Sequence, residues 1–154
     1  MDRTTILLIS TAARGLDADV ELSRVQRSIE RTRFRDQLEL VIDHCVDLDE
    51  LGRLLVRHDP VLLHVSGHGT APGALTFPGP GTTRIAVEIG TLEALFAEFP
   101  RLRYVVLNAC ETAPLAEALA ENRDVVVGMA GVVDSARASQ FSAVFYSTLA
   151  EGGS

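Results

Sequence analysis

Two residues carry most of the chemical capability of this chain. His68 sits in Ser66-Gly67-His68-Gly69-Thr70, and Cys110, 42 residues later, sits in Leu107-Asn108-Ala109-Cys110-Glu111-Thr112. A thiol becomes a nucleophile when a base takes its proton, and acyl transfer through sulfur then needs little more than backbone N–H donors for the oxyanion. Imidazole is suited to that proton transfer near neutral pH. Each motif follows an apolar run that reads as a buried parallel strand, which sets both loops at one end of a sheet. The glycines beside His68 allow a sharp turn and a close approach of backbone to substrate. Cys110 stands at a strand–loop–helix junction, where unpaired N–H groups and the helix N-terminus favour an anionic sulfur. The Gly69 and Cys110 amides are the natural candidates for the two oxyanion donors.

Competing readings of the same residue types fail on context. A free cysteine is most often a packed core residue, and that alternative weakens for Cys110 once a histidine is placed opposite it. His64 lies inside a strand and is expected to be buried and hydrogen-bonded as a structural residue. His64 and His68 are four apart, but on no helix and with no glutamate between them, so a zinc-protease arrangement is excluded. His44-Cys45 closes the second strand, and Cys45 is read as structural. The chain has no Gly-x-Ser-x-Gly elbow and no Walker motif. Gly67, Gly69 and Gly73 give only a weak phosphate-cradle signal, because Pro72 interrupts the segment where a helix would have to start.

The elements that must position these groups alternate between strand and helix. Strands are expected over 6–9, 38–42, 61–65, 104–108 and 125–129. The second alternates polar and apolar residues, as an edge strand does, whereas the third is apolar apart from His64 and therefore central. The helix after the first loop (12–17) places Leu22, Val25 and Ile29 on one face. Asp47 and Glu50 have capping-box spacing before Leu51, Leu54 and Leu55, and Asp59-Pro60 ends that helix. Residues 70–84 read as a mobile surface flap rich in Gly, Pro and Thr, with 74–77 and 85–87 as arms of a small hairpin. Thr91 is read as the cap of a helix through Phe99, Pro114 suits the first turn of the next, and a last amphipathic helix runs from Ser135 through Phe141, Phe145 and Leu149. The sum is an α/β three-layer sandwich with a mostly parallel sheet of five to six strands, in one domain over 1–154. Ligand chemistry in such sheets gathers at the C-terminal strand ends, where His68 and Cys110 are neighbours.

Composition narrows the partners. At 154 residues, 47% hydrophobic and 23% charged, the chain is long enough for one real core. A net charge of −7, with all 14 cations arginine, argues against nucleic acid or an anionic membrane as partner. No run reaches the roughly 18 apolar residues of a membrane span, and no signal peptide is read at the N-terminus. Two cysteines without an export signal point to a reducing cytoplasm.

The blocks Val61-Leu-Leu-His-Val-Ser-Gly-His-Gly69 and Tyr104-Val-Val-Leu-Asn-Ala-Cys-Glu-Thr112 resemble the caspase–hemoglobinase fold, and within it the CHAT family of prokaryotic caspase-like peptidases, related to separase. Residues 125–129, Gly131-Val-Val-Asp134 and 141–152 resemble that family's later blocks. The resemblance implies a cysteine endopeptidase with His68 as general base, Cys110 as nucleophile and the Gly69 and Cys110 amides as the oxyanion hole. It further implies a protein or peptide substrate cleaved through a thioester, with no metal or organic cofactor, and a fused or separate adaptor or effector module in bacterial defence or regulated proteolysis. Asn108 stands where caspases carry glutamine and metacaspase-like enzymes an aspartate that binds a basic P1 residue. Asp134 could supply that charge instead, as a related aspartate is thought to do in separase, or simply cap the helix from Ser135. CHAT domains continue past 152–154, so the chain is expected to stop early, with part of its substrate pockets missing. Two other function classes compete. A non-catalytic caspase-like scaffold has no need of both His68 and Cys110. A flavodoxin-like nucleotide or receiver domain has only Asp17 and Asp19 near the first strand, and no lysine anywhere.

Overall fold

The computed structural model describes residues 3–12, 16–33, 35–70, 74–128 and Tyr146. Along the chain these form β1 (Thr4–Ser10), α1 (Leu16–Glu30), a 3-10 turn (Arg35–Gln37), β2 (Leu38–Asp43), α2 (Leu48–His58), β3 (Leu62–Ser66), β4 (Gly69–Thr70), β5 (Ala74–Pro78), β6 (Arg84–Val87), α3 (Ile89–Ala97), β7 (Tyr104–Asn108), α4 (Ala113–Ala120) and β8 (Val125–Val127). Five strands make a parallel sheet in the order β2-β1-β3-β7-β8. β3, apolar except at His64 and Ser66, is central and buried along its whole length, while β2, which alternates, is an edge and only half-buried.

The two faces of the sheet follow from the period of two. Leu7, Ile9, Leu63, Val65, Val105 and Leu107 point to the face covered by α2, α3 and α4, where they meet Leu51, Leu55, Leu92, Phe96, Leu115 and Leu119. Ile6, Leu8, Leu62 and Val106 point the other way, onto Leu22, Val25 and Ile29 of α1 and onto Tyr146. Helices on both faces of a parallel sheet make the three-layer sandwich. Asp47 caps α2 with its carboxylate, which accepts from Glu50 N at 2.7 Å, and Asp59 ends it in the left-handed conformation at φ 43°.

Three expectations are corrected. The segment after β4 is not a surface flap: β4, β5 and β6 form an antiparallel sheet, and Leu75, Phe77 and Val87 are buried in the core with α2 and α3. Three such side chains contribute about 1.5–3 kcal/mol each on burial, more than enough to hold a hairpin down. Thr91 does not cap α3; Glu88 does, in extended conformation and without a side-chain bond. The helix starts earlier because Leu92 and Phe96 must both reach the core. Strand β8 ends at Val127 rather than 129. The helix expected from Ser135 lies outside the described residues except at Tyr146, which is helical and buried. Among the described residues no helix is long and apolar enough to cross a membrane.

Candidate active site

Strands β3 and β7 are parallel neighbours, and Ser66 pairs with Asn108 in their register. Beyond that pair the two chains leave the sheet together at the same height, about 4.8 Å apart. Gly67 N donates to Asn108 O at 3.3 Å, so the first residue of one loop is tied to the last residue of the other strand. His68 is the second residue past Ser66, and Cys110 the second past Asn108. Gly69 presses against the cysteine itself: a Cβ there would lie 1.8 Å from the Cys110 carbonyl oxygen and 3.0 Å from its carbon. Only glycine allows that approach. Gly67 is equally confined, since a Cβ would stand 2.1 Å from Thr11 Oγ1 at the end of β1.

The His68 ring is exposed, but its backbone is held. Its carbonyl accepts from Thr76 N and from Thr76 Oγ1, both at 2.9 Å, and Arg84 Nη2 donates to Thr76 Oγ1 at 3.0 Å and to Thr76 O at 3.1 Å. The antiparallel hairpin thus fastens the histidine loop. On the other side, Thr112 Oγ1 donates to Ala109 O at 2.7 Å and Glu111 takes φ 61°, which turns the chain sharply around the half-buried Cys110 before α4 begins. Neither Cys45 nor Cys110 is in a disulfide.

The chain is 26% identical, over 140 residues, to a protein of Gillisia limnaea described as a probable protease. The match covers 89% of this chain and 25% of that relative, so the chain spans about a quarter of its length. No family model matches the chain.

Beneath the two loops lies a polar cluster that the sequence reading missed. Glu21 of α1 is buried, and its Oε1 accepts from Asn108 Nδ2 at 2.5 Å and from His64 Nε2 at 2.8 Å, while Oε2 accepts from Ser66 Oγ at 2.5 Å. His64 is fully buried, as its place in the strand requires, and its Nδ1 meets the Tyr146 hydroxyl at 2.9 Å. Burial pushes the Glu21 carboxyl up, but the His64 hydrogen bond and charge, with the Ser66 and Asn108 donors, outweigh it and hold the group below its ordinary value. Burial, with the Glu21 charge, raises the Tyr146 phenol well above 10.0. The signal was present: Glu21 lies four residues before Val25 and eight before Ile29, on the apolar face of α1.

Asn108, read as a substrate-pocket residue, is buried with its amide on Glu21. Asp134 lies outside the described residues. Among the described residues, no group of three or more His, Cys, Asp and Glu side chains is placed to hold a metal.

Proposed function

We propose that this chain is the peptidase module of a caspase-like cysteine protease of the CHAT type. The observation that carries the reading is the junction of the two loops: Ser66 paired with Asn108, and Gly69 seated on the Cys110 backbone. In this reading His68 takes the thiol proton and Cys110 Sγ attacks the scissile carbonyl carbon, with the oxyanion received by the Gly69 and Cys110 N–H groups. The C–N bond then breaks, His68 returns the proton to the leaving amine, and water hydrolyses the thioester to restore the thiol. Two features support it: the tight turn at Glu111 that presents the cysteine, and the likeness to a protein described as a probable protease.

The substrate is a protein or peptide, with Asp134 as the group that selects a basic P1 side chain. Activation by a partner module or by processing, in a reducing bacterial cytoplasm, completes the proposal. The test is labelling by arginyl and leucyl acyloxymethyl ketones of wild type, Cys110→Ala and His68→Ala. Labelling at Cys110 that depends on His68, with the arginyl probe preferred, is the expected result. A folded chain that takes neither probe, alone or extended toward the length of its relative, is a scaffold rather than an enzyme.

A further inference from the structure

We propose that Glu21 is the positioning residue of the thiol–imidazole site: one buried carboxylate on α1 holds the ends of β3 and β7 so that the His68 and Cys110 loops leave the sheet in register. The catalytic consequence rests on the peptidase reading above; the positioning itself does not.

The donors are placed to do this. Ser66 and Asn108 face each other across the β3–β7 ladder, and each is two residues upstream of a reactive side chain. Both donate to Glu21, at 2.5 Å, one to each carboxylate oxygen. His64, one pleat further down β3, adds a third donor at 2.8 Å. An ionised carboxylate is acceptor-only, so it satisfies hydroxyl, amide and ring N–H together. On its other side the His64 ring is braced by the Tyr146 hydroxyl, 2.9 Å from Nδ1. Packing alone does not call for this cluster, because well-packed apolar residues often serve stability as well as a buried charge does. A carboxylate that reaches across two strands restricts their relative shift, and that shift separates His68 from Cys110.

The test uses the full chain and four variants: Glu21→Ala, Glu21→Gln, Ser66→Ala and Asn108→Ala. Amide exchange by mass spectrometry reads loop order, and iodoacetamide alkylation of Cys110 across pH, with Cys45 as internal control, reads site geometry. Glu21→Ala should speed exchange in both 67–70 and 109–112 and leave β2 unchanged. Ser66→Ala should loosen chiefly the first segment and Asn108→Ala chiefly the second. Glu21→Gln should keep both ordered, since its amide oxygen still accepts from His64 and Asn108 while the Ser66 hydroxyl turns to accept. The His68-dependent limb of Cys110 alkylation should fall in Glu21→Ala on the order of 100-fold, the scale of a 1 Å misplacement, and return in Glu21→Gln. Exchange that rises uniformly through the sheet, or in neither loop, overturns the proposal and makes Glu21 a stability residue. If Glu21→Ala does not fold, the two single-strand variants decide the matter in the same way. Wild-type alkylation that ignores His68 sinks the peptidase reading instead, and the exchange pattern still decides the positioning role.

Discussion

At the scale of single residues, the Cys110 loop is shaped by two backbone demands. Glu111 holds φ 61°, a region that costs an L side chain roughly 1–2 kcal/mol. A β-branched residue fits there worst. Glu111→Gly should therefore gain up to about 1–2 kcal/mol, read as a rise in thermal midpoint, and Glu111→Val should lower the midpoint. At Gly69 the demand is space, since the nearest atom to an added Cβ is a backbone oxygen that no rotamer change can move. Gly69→Ala should abolish His68-dependent labelling of Cys110 while circular dichroism still reports a folded sheet. Gly52 in α2 is the matched control, with nothing within 4 Å of its Cβ position. Gly52→Ala should raise stability by about 0.4–1 kcal/mol and leave labelling unchanged.

Among the elements, the antiparallel hairpin has a role that its composition concealed. A Gly-, Pro- and Thr-rich stretch reads as a loose surface loop, yet Leu75, Phe77 and Val87 alternate onto the core and Thr76 faces the histidine loop. The hairpin thereby fixes the His68 carbonyl from one side while β3 fixes the chain from below. Thr76→Val keeps the volume but removes one donor to His68 O and one acceptor for Arg84. It should cost about 1 kcal/mol, with faster amide exchange confined to 68–70. A retained exchange pattern would mean that the Thr76 backbone bond alone secures the loop. The α2 cap tests a different element: Asp47→Ala should cost about 1 kcal/mol without touching Cys110 reactivity.

For the molecule as a whole, the buried cluster links stability to pH at both ends of the scale. The Glu21 carboxyl sits below its ordinary 4.5 in the fold, so its contribution is complete above that pH and is lost as the pH falls through the folded value. The Tyr146 phenol is raised well above 10.0, so its contribution is complete below pH 10 and declines as the unfolded chain ionises above it. Urea denaturation across pH should show both limbs, with Glu21→Gln flattening the acid limb and Tyr146→Phe the alkaline one. Much of this architecture was legible in the chain. The strand runs, the edge character of β2, the Asp47 cap and the parallel neighbours that carry His68 and Cys110 all rest on local periodicity and short-range hydrogen bonding, which residues near in sequence express by themselves. The depth of the hairpin was not legible, because a short stretch of mixed composition gains its burial only from elements distant in sequence. Nor was the role of Glu21, although its place on an apolar helix face marked it as unusual. Its partners come from residues 64, 66, 108 and 146, and a carboxylate acquires meaning from the donors that surround it, which only the folding of α1 onto β3 and β7 brings within hydrogen-bond reach.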